Sequence, residues 1–347
     1  MSPEAEVRFR TTHRPPDRRD GPPIVRLSHP LAFAALLKRT GAPWQRYFRA
    51  AKLPVHAENP DLYVTARSAW ASFDRAAKRE SEDFGWWVGQ FVGENNISEK
   101  LLQQTEHAPT LYVGLKELVR LISSESSDLG LGIEEREDDI LLYTHYPNMR
   151  SLPGYLTAQA YQLPVFLAFI RHYLGSRWSP DEVGVEAKRT PKAAETCFAG
   201  AHVRIGQERG YIRLPRDVLN APAPDALELQ RVPKLARLDS LSFDNRLRLL
   251  LRPYLAEGIP SKQFAAELIE TSPRTMTRRL AASRTNFRRL LDELHFNAAK
   301  DLLQGGNLSI RETASRIGYD NPSHFARMFR RIGGVSPSTF RKISQEN

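Results

Sequence analysis

A nine-residue phrase is written twice in the last third of this chain. Ser272-Pro273-Arg274-Thr275-Met276-Thr277-Arg278-Arg279-Leu280 recurs, 49 residues later, as Asn321-Pro322-Ser323-His324-Phe325-Ala326-Arg327-Met328-Phe329. Each copy begins with a residue whose side chain can accept the free N–H groups of a first helical turn, followed by a proline suited to the first helical position. Each then places two apolar residues four apart, Met276 with Leu280 and Phe325 with Phe329, which stack on one helix edge. The phrase therefore predicts a short helix with one buried edge. Arg274, Thr275, Thr277 and Arg278 are left on the outside of the first copy, and Ser323, His324 and Arg327, after the capping Asn321, on the outside of the second.

Both copies follow a short amphipathic segment and a tight break. In the first, Ser261 opens a segment over 262–269 that buries Phe264, Ala265, Leu268 and Ile269 and breaks at Glu270-Thr271. In the second, Ser309-Ile310-Arg311-Glu312 is a capping-box pattern, with Ala314 and Ile317 at the positions of Ala266 and Ile269. Gly318 then permits the left-handed turn that stops a helix sharply. Two helices with this break form a helix-turn-helix pattern, whose second helix enters a DNA major groove. Between the copies, 285–304 places Phe287, Leu290, Leu291, Leu294, Ala298 and Leu302 on one helical stripe. That segment spans about 30 Å as a helix, against about 34 Å for a turn of DNA. One stiff helix of this length can space two recognition helices for successive major grooves, so one chain would cover an asymmetric site of roughly two turns.

Charge sits with the repeat. Residues 241–347 hold 18 Lys and Arg against 10 Asp and Glu, so 8 of the formal net charge of +10 lie in that third. The asymmetry points to a polyanionic partner of the last third alone; a merely well-solvated basic domain is the alternative reading of charge by itself. The chain's single cysteine, Cys197, can form no intrachain disulfide, which fits a reducing cytoplasm. The longest apolar runs, such as 163–170, fall short of a membrane span, and the N-terminus has no apolar signal region. A cytoplasmic protein without a membrane partner is expected. The nine histidines are scattered without metal-binding spacing, and there is neither a Gly-x-Ser-x-Gly elbow nor a Walker-type loop. Cys197 has apolar neighbours and reads as buried. No catalytic residue, metal or cofactor is expected.

Four regions follow: a disordered Arg- and Pro-rich tail over 1–23, an N-terminal sensor or dimerisation domain over 24–220, a linker over 221–240 and the DNA-binding domain over 241–347. In the second region helical patterns over 30–38, 42–50, 67–78, 82–91 and 109–122 precede a β-hairpin over 131–136 and 140–146. A long helix over 155–174 carries the stripe Leu156, Ala160, Leu163, Leu167, Ile170 and Leu174, with a kink expected at Pro164. A strand over 183–188, a helix over 191–198 and a second hairpin over 201–205 and 211–214 complete it. The expected fold is an α+β N-terminal domain with a small antiparallel sheet, plus an all-α C-terminal domain of two helix-turn-helix units joined by a long helix. Trp70, Phe73, Phe84, Trp86, Trp87, Phe91, Tyr155, Tyr161, Phe166 and Phe169 can line an effector pocket, but such residues more often form core.

The run from Gly318-Tyr319-Asp320-Asn321-Pro322 through Phe329-Arg330-Arg331-Ile332-Gly333-Gly334-Val335-Ser336-Pro337 to Arg341 resembles the signature of AraC/XylS-type transcription regulators, and the resemblance extends back to about Phe243. It implies a two-unit DNA-binding domain that activates or, less often, represses transcription, with double-stranded promoter or operator DNA and RNA polymerase as partners. By the family pattern, Arg274, Thr277 and Arg278, and Ser323, His324 and Arg327, occupy base- or backbone-contacting positions. This sequence departs from that pattern at Arg284, where the family often has Gly, and at His295, where it usually has Arg. Ala108-Pro109-Thr110-Leu111-Tyr112-Val113-Gly114-Leu115 and Ile212-Arg213-Leu214-Pro215-Arg216-Asp217-Val218-Leu219 resemble the arabinose-binding-like N-terminal domain of some of these regulators. Two glycines that this domain would have before Ala108 are missing over 96–104. The resemblance implies a small-molecule effector or a homodimer, with the ligand open. Two readings of Arg278 and Arg327 stand together: bidentate contact to guanine, or neutralisation of phosphates. Arg288, Arg289, Arg316, Arg330 and Arg331 read mainly as phosphate or solvent contacts. The reading adopted is an effector-responsive, sequence-specific activator. Its rivals are a non-specific chromosome-associated protein and an enzyme with an appended DNA-binding domain.

Overall fold

The computed structural model describes residues 21–95, 105, 108–189, 192–223, 238, 241–305 and 308–346. The expected tail up to residue 20, the segment 96–104 and most of the expected linker lie outside them. The chain gathers into two compact units that are not contiguous in sequence. One is built from 28–51 and 66–223, the other from 21–27, 52–65 and 241–346.

The strands of the second unit are β1 (Ile24–Arg26) and β2 (Tyr63–Thr65). Between and after them, the first unit forms α1 (Ser28–Arg39), α2 (Trp44–Ala50), α3 (Ala66–Arg79), α4 (Phe84–Asn95) and α5 (Leu111–Leu121). β3 (Gly130–Glu135), β4 (Asp139–His145), α6 (Tyr155–Leu174), β5 (Glu182–Gly184), α7 (Lys192–Cys197), β6 (His202–Arg204) and β7 (Gly210–Pro215) follow. The helices occupy the predicted segments, and the first predicted hairpin is β3–β4.

α6 is the axis of this unit. Its residues are buried almost all round, from Tyr155 and Ala158 to Phe169 and Ile170, so the predicted single stripe is too narrow a description. Leu156, assigned to that stripe, is 51% exposed. The reason is packing on two sides, with α3 and α4 against one flank and β7 against another. α4 approaches closely because Gly85, Gly89 and Gly93 recur every four residues along the contact. A Cβ at Gly89 would lie 2.4 Å from the carbonyl oxygen of Tyr161 and 3.0 Å from Pro164 Cγ. α6 stays helical through Pro164.

The sheet runs β3-β4-β7-β5-β6. It is antiparallel except for β5 with β6, which are parallel. The predicted second hairpin is therefore corrected: β7 does not pair with β6 but inserts between β4 and β5. The glycines at 206 and 210 do mark a turn in sequence, but pairing was decided by the apolar strands β4 and β7, whose Ile140, Leu142, Ile212 and Leu214 are all buried. Polar groups also enter this interior. His29 lies 3.0 Å from the Tyr161 hydroxyl and 3.2 Å from a Glu125 carboxylate oxygen. Asp128, fully buried, accepts from the Asn148 side-chain amide at 2.7 Å. Burial pushes its carboxyl up to about 6, and the Asn148 hydrogen bonds oppose that shift.

The second unit is helical apart from β1 and β2. It comprises α8 (Phe243–Leu251), a 3-10 turn over Arg252–Glu257, α9 (Lys262–Leu268), α10 (Pro273–Ala282), α11 (Phe287–Gln304), α12 (Ile310–Arg316), α13 (Pro322–Gly333) and α14 (Pro337–Glu346). α11, 18 residues and about 27 Å long, is capped by the Asn286 side chain, which accepts from Arg289 N at 2.9 Å. Its buried line is Leu290, Leu294, His295, Ala299 and Leu303, one residue on from the predicted Ala298 and Leu302. The shift arises because Ala298 and Leu302, partly buried, flank a second core rather than form its centre: Ala314, Ile317, Phe325, Met328 and Phe329 around Ala299 and Leu303.

Candidate nucleic-acid interface

α9 and α10 form the first helix-turn-helix. Ser261 Oγ accepts from Phe264 N at 3.0 Å and Ser272 Oγ from Thr275 N at 3.1 Å, so both helices start as their sequences predict. Met276 and Leu280 are fully buried, which fixes the rotation of α10 and leaves Arg274, Thr277 and Arg278 exposed and Thr275 half-buried. The break between α9 and α10 is made by Glu270 at φ 53°, a left-handed conformation that disfavours any side chain. Arg284, just past α10, has φ 54°. These non-glycine residues take the left-handed conformation that Gly318, at φ 82°, and Gly334, at φ 77°, take in the second unit, between its two helices and after α13.

α12 and α13 form the second. The capping box is complete: Ser309 Oγ accepts from Glu312 N at 3.1 Å, and Glu312 Oε2 accepts from Ser309 N at 2.7 Å. Asn321 Oδ1 accepts from the backbone N–H groups of Ser323, at 2.8 Å, and His324, at 3.4 Å. Phe325, Met328 and Phe329 are buried, and Ser323, His324 and Arg327 stand exposed on the opposite side of α13.

The eight expected residues are not equally available. Asn321 Oδ1 is committed to its helix cap. The Thr277 hydroxyl donates to the Pro273 carbonyl oxygen at 2.7 Å, and Thr275 Oγ1 accepts from Ser272 Oγ at 3.0 Å. Arg274, Arg278 and Arg327 make no hydrogen bond or ion pair with any described residue, so their five-donor guanidinium groups point outward uncommitted. Other arginines are engaged within the protein. Arg289 Nε lies 2.8 Å from Glu293 and Arg331 Nη2 2.6 Å from Asp292, and both side chains remain more than half exposed. The Arg289–Glu293 pair was legible in its four-residue spacing. Arg279, adjacent to Arg278, instead lies over the Phe243 ring at 5.2 Å.

In the first unit of the molecule, the aromatic residues considered for an effector pocket are mostly core: Trp70, Phe73, Phe84, Trp86, Tyr155, Tyr161, Phe166 and Phe169 are buried, while Trp87 is 42% exposed. A cavity of about 520 Å³ opens elsewhere, between α2 and α3, lined by Arg46, Tyr47, Arg75, Lys78, Arg79 and Glu80 among others. Tyr47 donates to Glu80 at 2.5 Å, and Lys78 pairs with Asp74 at 2.9 Å, whereas Arg46 and Arg79 pair with no described residue. Among the described residues no group of histidines, cysteines and carboxylates is placed to hold a metal, and no helix is long and apolar enough to cross a membrane.

Two capped helix-turn-helix units on one chain, joined by a single helix and each presenting a polar face, are the architecture of a DNA-binding regulator. Comparison with known proteins makes the class specific. Residues 41–223, just over half of the chain, match the family described as the arabinose-binding domain of AraC transcription regulator, N-terminal; residues 265–343 match a helix-turn-helix domain family. The chain belongs to the AraC family of transcription regulators, a non-enzymatic family, with a C-terminal helix-turn-helix domain and an arabinose-binding-like N-terminal domain. It is 31% identical over 147 residues to an uncharacterized HTH-type transcriptional regulator of Mycobacterium tuberculosis, covering 40% of this chain and 43% of that protein. It is 30% identical over 135 residues to the ornithine utilization regulator of Pseudomonas aeruginosa, covering 38% and 39%. The chain thus spans about two fifths of the length of these relatives. A solved structure, the transcriptional regulator CdpR from Pseudomonas aeruginosa, aligns over 86% of this chain and 96% of its own, at 20% identity and a TM-score of 0.32.

Proposed function

We propose that this protein activates transcription by binding one asymmetric DNA site, with α10 and α13 in successive major grooves. The observation that carries the reading is the set Arg274, Arg278 and Arg327. They are exposed on capped helices whose opposite edges are buried, and their guanidinium groups pair with no described residue. Such a group can bond guanine O6 and N7 together, worth about 1–3 kcal/mol of discrimination. Ser323 and His324 extend the reading face of α13, Thr275 and Thr277 that of α10, and Asn321 sets the start of α13.

The N-terminal unit is the regulatory part of this proposal. An effector that binds one of its arrangements more tightly shifts the population toward that arrangement and so changes how the DNA-binding unit is presented. The cavity between α2 and α3, where the heads of Arg46 and Arg79 pair with no described residue, is the candidate place for an anionic end of such a molecule. A homodimer held through this unit would add a second DNA site.

The test is selection of duplexes from a random library by the full chain, followed by base-pair profiles of Arg278→Ala and Arg327→Ala. Each variant is expected to relax preference at one position, in a different half of the selected site. A uniform loss over all sequences would assign the arginines to phosphates, and no selection at any salt concentration would favour a non-specific DNA-binding protein.

A further inference from the structure

The DNA-binding unit contains chain that neither matched family assigns to DNA. β1 and β2 pair antiparallel, Ile24 with Thr65, Val25 with Val64 and Arg26 with Tyr63, and belong to the same compact unit as α8 to α14. This ribbon lies against α8 and the turn over Arg252–Glu257. Ile24, Leu27, Leu53 and Val64 are buried, as are Leu247, Leu250, Leu251 and Leu255 of the helical part.

Polar contacts fix the arrangement. The buried Tyr254 hydroxyl donates to the Lys52 carbonyl oxygen at 2.6 Å, and Glu257 Oε1 accepts from Val55 N at 2.5 Å. Lys52 Nζ reaches Glu267 on α9 at 3.0 Å. Arg246, 1% exposed, donates to the Pro22 carbonyl oxygen at 3.1 Å, and Gly21, at φ 109°, passes so near that a Cβ would meet Arg246 Cδ at 2.9 Å. The ribbon therefore grips the turn after α8, and α8 itself at Arg246. α8 backs α10, where Phe243 lies beneath Arg279.

The two recognition helices differ in what else holds them. α13 contributes Phe325, Met328 and Phe329 to a core shared with α11 and α12, with Phe340 of α14 packed against it. α10 has two buried side chains, Met276 and Leu280. The second unit does touch the same turn, at Gly318 beside the Leu255 carbonyl, but it has its own core.

We infer that the ribbon of residues 21–27 and 52–65 positions the first recognition helix for DNA, with Tyr254 and Glu257 as the positioning residues that seat it. The inference rests on the reading of α10 and α13 as the two DNA-reading helices.

The experiment uses the full chain and a duplex selected by the wild-type chain from a random library. Hydroxyl-radical footprints and affinities are measured for wild type, Tyr254→Phe and Glu257→Ala. Each variant removes one hydrogen bond without altering a residue proposed to touch DNA. Affinity is expected to fall roughly five- to tenfold per bond, with protection lost at the half-site of α10 and kept at that of α13. A duplex carrying only the α13 half-site is expected to bind wild type and variants equally. Equal weakening at both half-sites, or intact α10 protection in variants with a lowered melting temperature, overturns the positioning role. Protection of a single segment by the wild-type chain overturns the two-helix reading itself.

Discussion

The Nδ1 of His295 lies 2.7 Å from the carbonyl oxygen of Leu291, one turn back on the helix that joins the two DNA-binding units. The ring is 1% exposed and meets Tyr319 edge-on at a centroid distance of 5.1 Å. Burial lowers the imidazole below the usual histidine value near 6.5, against the opposing pull of the Leu291 carbonyl and the charge of Asp292. The unfolded chain therefore takes up the proton first. His295 contributes stability above about pH 6.5, and that contribution is lost as pH falls through the lowered folded value. The melting temperature of the full chain is expected to fall more between pH 7.5 and 5.5 in wild type than in His295→Asn, which keeps a donor near the Leu291 carbonyl and cannot be protonated. Equal slopes would remove His295 from the account.

Asp128 works in the opposite direction. Its carboxyl is raised to about 6, so the folded state holds the proton more tightly than the unfolded one. The resulting stabilisation is full below the usual value near 3.8 and is lost as pH rises through about 6. Asp128→Asn keeps an acceptor for Asn148 and carries no charge. It is expected to stabilise the chain by about 2–3 kcal/mol at pH 8, with the gain shrinking steadily as pH falls below 6. Thermal unfolding at pH 8 and pH 4.5 measures this, and a gain independent of pH would contradict it.

Gly89→Ala places a methyl group where the Tyr161 carbonyl oxygen would be 2.4 Å away. α4 and α6 must separate, and the better helix propensity of alanine, about 1 kcal/mol, does not compensate for lost packing along the whole contact. A destabilisation of about 2–3 kcal/mol is expected, read as a lower urea midpoint by tryptophan fluorescence. A neutral or stabilised variant would mean that the two helices have room to spare.

Arg284→Gly is expected to stabilise the chain by a few tenths to about 1 kcal/mol, the relief of left-handed strain less the entropy that glycine adds to the unfolded state. The Arg284 N–H keeps its bond to the Ala281 carbonyl, now at 2.9 Å. Urea unfolding followed by helical circular dichroism tests this. A loss of stability would show that the exposed Arg284 side chain contributes more than its backbone costs.

The two helix-turn-helix units were legible because helix period and capping chemistry are local. Ser272 and Asn321 announce where the recognition helices start, and Met276, Leu280, Phe325 and Phe329 fix which side turns outward. The internal bonds of Thr277, Arg289 and Arg331 show only in the structure, apart from the Arg289–Glu293 pair, whose four-residue spacing is in the sequence. β1 and β2 were not legible. Three residues are too few for alternation to show, and what makes Ile24 and Val64 a buried pair of strands is a set of helices that begins at Phe243. β6 was misjoined to β7 for a related reason. Nearness in sequence suggested a hairpin, whereas the apolar face of β7 had a better match in β4. The stripe of α11 was displaced by one residue in its second half, where Ala299 and Leu303 rather than Ala298 and Leu302 join the core built by α12 and α13.

The ribbon also has a consequence for synthesis. Its strands leave the ribosome before the surface they cover, which is encoded roughly 190 residues later, beyond Phe243. At about 5–20 residues per second that is a wait of roughly ten to forty seconds. During it Ile24, Leu27 and Val64 lack the helices that cover them in the folded unit. The ribbon thus waits for its cover throughout that interval, and the exposure ends only when the helices beyond Phe243 have been made.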